Sequence, residues 1–297
     1  MKKIFCLIAV VMLVLPVFSG CKEEVTADPM RTAEELREID KVDEKAIIEA
    51  EDRTGFVRLS TSHGLSEIPA EVFEAINLQT IELNGFTGKT LPEELLNLPN
   101  LAVLYISGAN NIATLPDFIG DIENLVSFSI RNARELDLGA ALKVLSRCPN
   151  LKYVQINNSR VESVIPAEIG NMKKLEILDI GQNTITEIAD EFYTLPNLKR
   201  LGINSSPDNQ YDYDTIFANL KRMPELARIV VYFSGLSGLP EILNEYPSLS
   251  TVQWREDGTG WPEGVDIQEE VAKWDAKFPD ISISWSTGSS MFYDYVE

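Results

Sequence analysis

The chain has 297 residues, 44% hydrophobic and 24% charged, an ordinary composition for a folded protein. Its 46 acidic against 26 basic residues leave a formal net charge of −20, which repels phosphate backbones and anionic headgroups and disfavours binding to either. Three cysteines and one histidine are too few for a disulfide framework, a Cys/His zinc site or a histidine-centred catalytic machine.

The chain opens with Lys2 and Lys3, an apolar run from Ile4 to Phe18 interrupted by Pro16, and then Ser19-Gly20-Cys21. A charged start, a short apolar core and small residues at the cut make a secretory signal over residues 1–20. The run falls short of the roughly 20 residues that a spanning helix needs. Small residues directly before Cys21 resemble a bacterial lipobox, although Phe18 stands where that motif usually carries an aliphatic side chain. The resemblance implies lipidation at Cys21 and attachment to the bacterial outer membrane. Lys22-Glu23-Glu24 resembles the surface-export tag of some Gram-negative lipoproteins and implies display on the cell surface, the periplasmic face being the alternative. Cys6 would leave with the signal. Cys148, in SRCPN, stands where sister segments carry leucine in NLPN and TLPN, and reads as a small core hydrophobe.

Residues 21–28 are polar and read as a tether. From Pro29 the chain is dense in Ala, Glu, Leu, Lys and Arg, and Asp28-Pro29 supplies an N-cap with proline at the first helical position. Leu36, Ile39, Val42, Ala46 and Ile47 form a stripe at helical spacing, which predicts one capping helix within residues 29–53.

From Leu78 onward one frame repeats. Leu78, Leu101, Leu125, Leu151, Leu175, Leu198, Leu226 and Leu249 recur every 23 to 28 residues, each followed by apolar residues three and five positions later. Leu104 and Ile106, Val154 and Ile156, and Leu178 and Ile180 are examples. A degenerate coil precedes them, with Val57 and Leu59 in the strand positions. One coil cannot bury its own apolar face, whereas stacked coils share a core. Parallel strands at about 4.8 Å make nine of them a sheet roughly 40 Å long. The returns often read as an aliphatic residue and proline, as at Ile68-Pro69, Leu91-Pro92 and Ile165-Pro166, where proline opens a helical turn. DLGAALKVLSRC lacks that proline and predicts a longer helix. Two insertions, SSPDNQYDYD and REDGTGWPEGVDIQ, lengthen later coils, and the second precedes an amphipathic stretch of Val271, Trp274 and Phe278. Residues 281–297 begin with an alternating ISISW, which predicts a strand closing the far end.

This frame resembles the short bacterial and plant-type leucine-rich repeats. The resemblance implies an α/β fold: a right-handed solenoid over residues 54–280, with a curved parallel sheet and helical returns. It also implies non-catalytic binding of a protein, peptide or glycan ligand through the concave sheet, with no cofactor and no metal. Membrane contact would be through the N-terminal lipid only.

Side chains two, four and six positions after each leucine point away from the core. Among them Tyr105, Arg131, Tyr153, Gln155, Asp179, Arg200, Arg228, Tyr232 and Arg255 are the candidate ligand-binding residues. Tyrosine and arginine are enriched at binding hot spots, and Arg200, Arg228 and Arg255 stand on three successive coils of an acidic chain. The plainer alternative is that both types are simply good exposed strand residues. Two competing functions use other surfaces: a subunit of an outer-membrane assembly working through its convex face or caps, and a hydrolase centred on the inserted loops. The lone His63 reads as a turn residue. Asp208, Asn209, Asp212 and Asp214 lack the glycine and terminal glutamate of an EF-hand loop and read as a solvated acidic loop.

Overall fold

The computed structural model describes residues 26–61, 63–204, 213–232, 239–255 and 266–286. Apolar residues at alternate positions send their side chains to one side, and each coil's triplet therefore makes one strand with a buried face. The strands are β1 (Arg58–Ser60), β2 (Thr80–Leu83), β3 (Val103–Ser107), β4 (Ser127–Arg131), β5 (Tyr153–Asn157), β6 (Glu162–Ile165), β7 (Ile177–Asp179), β8 (Thr184–Ile188), β9 (Arg200–Asn204), β10 (Arg228–Tyr232), β11 (Thr251–Arg255) and β12 (Ser282–Ser286). All but β6 and β8 form one parallel ten-stranded sheet in chain order. The register is continuous: Leu104 faces Phe128, Phe128 faces Val154, Val154 faces Leu178 and Leu178 faces Leu201. Each of these is fully buried in a single core that runs the length of the stack.

The returns are tighter than α-helix. Pro69, Pro92, Pro116, Pro166 and Pro240 each open a five-residue 3-10 helix, because proline presets φ and lacks only an N–H that a helix start leaves unused. Where that proline is missing in DLGAALKVLSRC, an α-helix forms over Leu138–Leu145, with Asp137 accepting from Ala140 N at 3.0 Å as its N-cap. Two later returns are also α-helical, over Tyr213–Leu220 and Ile267–Lys277, and Trp274 and Phe278 are buried as the amphipathic spacing requires.

Every coil must leave its strand through a sharp turn. Gly85, Gly108, Asn132, Asn158 and Gln182 stand seven residues after the leucines of five successive coils, and all five have φ between 57° and 73°. Glycine and asparagine tolerate that left-handed region best, which explains four of the five.

The single capping helix expected over residues 29–53 is instead two short ones, α1 (Ala33–Arg37) and α2 (Glu44–Glu49). Thr32 and Asp43 each supply a separate N-cap. Between them Val42 leaves the helical stripe to bridge Leu59, with Val42 N bonded to Arg58 O and Ser60 N to Val42 O. One extended residue thus pairs with part of the open edge of β1. Arg58 locks the cap down, its buried guanidinium donating from Nη1 to Leu36 O at 2.5 Å and Ile39 O at 3.0 Å.

At the other end ISISW forms β12, a tenth parallel rung with Ile281 and Ile283 buried. Residues 287–297 lie outside the described chain. The frame gave no hint of a second sheet, yet β6 and β8 pair in parallel on the returns of two neighbouring coils, with a bulge between Ser163 and Val164. Their β-branched content, ESVI and TITEI, is the signal that the repeat frame overshadowed.

Candidate functional site

The face of the sheet opposite the core carries three rows. In the first, two residues after each leucine, Ser127, Tyr153, Ile177, Arg200, Arg228 and Thr251 stand directly opposite one another. In the second, Tyr105, Ser129, Gln155, Asp179, Gly202, Val230 and Gln253 do the same. In the third, Arg131 faces Asn157, and Tyr232 faces Arg255.

These rows divide the expected site residues. Tyr105 and Arg131 are half-buried neighbours, and Arg131 Nη1 donates to the Tyr105 hydroxyl at 3.4 Å. Tyr153 is half-buried and packs against Ile177 and Val230, a small apolar cluster on the face away from the core. Arg200 and Arg228 are half-buried and in exact pairing register. Arg255 does not extend that pair, because its opposite number is Tyr232, four residues further along the strand. The side chains of Tyr232 and Arg255 lie outside the described residues, as does Cys21.

Gln155 and Asp179 are corrected. They are 1% and 0% exposed, and they hold each other rather than presenting surface. Ser129 Oγ donates to Gln155 Oε1 at 2.9 Å, and Gln155 Nε2 donates to Asp179 Oδ2 at 3.1 Å. Asp179 Oδ1 accepts from Asn157 Nδ2 and from Gly181 N, both at 3.1 Å. A buried carboxylate must collect donors, and this one takes them from its own and the neighbouring coil. Asn183 does the same for the following turn, donating to Ile156 O and Ile180 O and accepting from Ser159 N. The centre of the face is therefore a polar brace, flanked by the Tyr105–Arg131 pair on one side and by Tyr153, Ile177, Arg200 and Arg228 on the other.

Elsewhere the titratable groups serve structure. Cys148 is buried with Sγ 3.3 Å from Ile119 O, and burial pushes its thiol up to about 12, so it stays protonated and unreactive. His63 is exposed, with Nδ1 3.2 Å from Glu44 Oε1. Of the acidic insertion, Asp208, Asn209 and Asp212 lie outside the described residues and Asp214 is exposed in the helix that follows. Among the described residues, no three His, Cys, Asp or Glu gather at metal-binding range.

A further repeating feature lies outside the strands. Asparagines one position before the leucine recur on four coils, Asn77, Asn124, Asn150 and Asn197 each donating from Nδ2 to a carbonyl of the preceding coil. Its signal was present in the recurring N-L dipeptide, in A-I-N-L, I-E-N-L, C-P-N-L and L-P-N-L.

Residues 149–207 match the family model described as leucine rich repeat. The chain is 27% identical over 158 residues to human leucine-rich repeats and immunoglobulin-like domains protein 3, covering 52% of this chain and 14% of that protein. It is 29% identical over 206 residues to rat osteomodulin, covering 69% of this chain and 43% of the relative. The chain thus spans less than half the length of these curated relatives. A leucine-rich repeat protein of Leptospira interrogans superposes with a TM-score of 0.53 at 19% identity, over 84% of this chain and 67% of its own. With ten in-register parallel rungs over a shared leucine core, and with residues 149–207 matching that family's model, this chain has the leucine-rich repeat solenoid fold.

Proposed function

We propose that the chain is a non-catalytic recognition protein, tethered through lipidated Cys21 to the outer membrane and facing outward, that binds a protein, peptide or glycan on its concave sheet. Leucine-rich repeat folds mostly serve as binding scaffolds, and that general role supports the reading while leaving the ligand to the site itself. The observation that carries it is the in-register row of Tyr153, Ile177, Arg200 and Arg228 beside buried Val230. An aromatic ring packed on buried Ile177 and Val230, with two guanidinium groups in the same row, offers packing area and bidentate anion recognition together. The ligand group that fits is a carboxylate or other anion carried next to an apolar moiety.

The test is capture of the ligand from intact cells or host material by the chain and its variants. Arg200→Glu with Arg228→Glu abolishes capture with the fold retained, and Tyr153→Ala weakens it by up to about 2 kcal/mol. Lys173→Glu, in the exposed turn between the 3-10 return and β7, leaves it unchanged. Loss of capture in the Lys173 variant alone would transfer the function to the convex face and to the assembly-subunit reading. For the anchor, Cys21→Ser yields a species with no lipid mass on its N-terminal peptide, and continued fatty-acid incorporation in that variant would refute it.

A further inference from the structure

Two rows flank the buried leucine that begins each coil, along the edge of the sheet where the strands start. On six successive coils the residue before the leucine is Asn77, Asn100, Asn124, Asn150, Lys174 and Asn197, and the residue after it is Gln79, Ala102, Val126, Lys152, Glu176 and Lys199. Over the coils of β2 and β3 these rows already hold a stretch of non-helical main chain, the segment leading into α1. Asp28 N donates to Asn77 Oδ1 at 2.6 Å, and Asn100 Nδ2 donates to Asp28 O at 2.7 Å. Gln79 pairs with both main-chain groups of one residue, accepting from Arg31 N at 2.7 Å and donating to Arg31 O at 3.0 Å.

Asn77 manages this by dividing its amide. Nδ2 donates to Thr54 O in the preceding coil at 2.7 Å and to the Asp28 carboxylate at 3.2 Å, which leaves Oδ1 for the main-chain N–H. Asn124, Asn150 and Asn197 repeat the first half of that arrangement, with Nδ2 on Pro99 O, Glu123 O and Lys173 O at 2.7, 2.9 and 2.7 Å. The same acceptor is thereby set up by Asn124 and Asn197, while Asn150 Oδ1 accepts from Lys174 Nζ at 2.6 Å. Here the rows line an open groove of about 540 Å³ that begins beside Met30. Lys152, Lys174 and Lys199 surround it, and Glu176 stands between two of them, 3.4 Å from Lys152 Nζ and 2.8 Å from Lys199 Nζ.

We propose that this groove binds an extended, carboxylate-rich peptide of a partner protein, its main chain held by Asn124 and Asn197 as the chain's own segment is held one coil earlier, and its acids by Lys152, Lys174 and Lys199. The four coils span roughly 14 Å, room for about four extended residues. The net charge of −20 does not forbid an acidic ligand, because charges beyond about 8 Å are screened at physiological ionic strength and the nearest groups decide. This site is separate from the concave row and stands without it.

The test is fluorescence anisotropy with a fluorescein-labelled decapeptide of alternating Glu and Ser, titrated with the full chain in detergent micelles. Saturable binding is expected, weakening as salt rises. The triple variant Lys152→Gln, Lys174→Gln, Lys199→Gln binds about tenfold more weakly, the size expected of three exposed ion pairs. Glu176→Gln removes the internal competitor and binds several-fold more tightly, a gain that a folding defect cannot mimic. The Arg200→Glu, Arg228→Glu variant binds as the parent does. No saturable binding, equal affinity in the triple variant, or loss only in the arginine variant would each overturn the proposal. Binding that appears only after Glu23→Gln with Glu24→Gln would also overturn it, by making the chain's own acids the occupant.

Discussion

Asp179 is fully buried on the side of the sheet away from the leucines, and its two oxygens accept from Gln155, Asn157 and Gly181. Removing the carboxylate strands those donors, at about 1–3 kcal/mol for each buried group left without a partner. Asp179→Ala is therefore expected to lose several kcal/mol in urea denaturation, comparable with Leu178→Ala, for which cavity formation costs about 2–5 kcal/mol. A near-neutral Asp179→Ala would mean that the brace does not hold. By alternation alone Asp179 reads as exposed and replaceable. Period-two patterning tells which way a side chain points, not whether its neighbours close over it, so Tyr105, Arg131, Tyr153, Arg200 and Arg228 were legible as surface while Gln155 and Asp179 were not. Cys148 was legible, because SRCPN aligns with NLPN. With its thiol raised to about 12 by burial, Cys148 should resist iodoacetamide near pH 8 in the native state and react on denaturation. Rapid native labelling would contradict its placement.

Each coil is tied to its neighbours by rungs that repeat at one position. The left-handed turn residues are one such row, and Gln182, with φ of 60°, is its strained member. Gln182→Gly should raise stability by up to about 1 kcal/mol. Gly108→Ala should lower it, since an added Cβ would meet Gly85 Cα at 2.9 Å in a backbone already at φ 73°. A melting shift in the opposite order would place the turn elsewhere. Ion pairs at several positions add a second kind of tie: Lys143 with Glu168, Lys199 with Glu176 and Arg222 with Asp190. The hydrogen bond from the basic partner is the main force holding each of these three carboxyls below its ordinary value. A depressed native value adds stability above the unfolded value, near 4.5 for glutamate and 3.8 for aspartate, and that stability is lost as pH falls through the native value. Thermal midpoints should thus be flat from about pH 7 to about pH 5 and fall below about pH 4.5, and less steeply in the triple variant Lys143→Gln, Lys199→Gln, Arg222→Gln. The same fall in parent and variant would show that other groups control it.

At the scale of the whole molecule, the leucine frame made the sheet legible because a strand's core positions are fixed by period and by contact with identical neighbours. What it did not reveal lies in non-repeating contacts: Val42 leaving the helical stripe to bridge Leu59, and Arg58 closing α1 onto β1. Such contacts depend on where a distant segment arrives, which no local pattern encodes. The second sheet of β6 and β8 was hidden for a related reason, since it needs two adjacent returns to be extended at once. The recognition face has the same character, with one row in register supplying Tyr153, Ile177, Arg200 and Arg228 from four coils. The most direct measurement of its role is site-specific photo-crosslinking in intact cells, with a benzophenone side chain at Tyr153 and, in a separate variant, at Lys173. A discrete adduct from position 153, lost when Arg200→Glu and Arg228→Glu are added, is the predicted result; an adduct from position 173 with none from position 153 would contradict it.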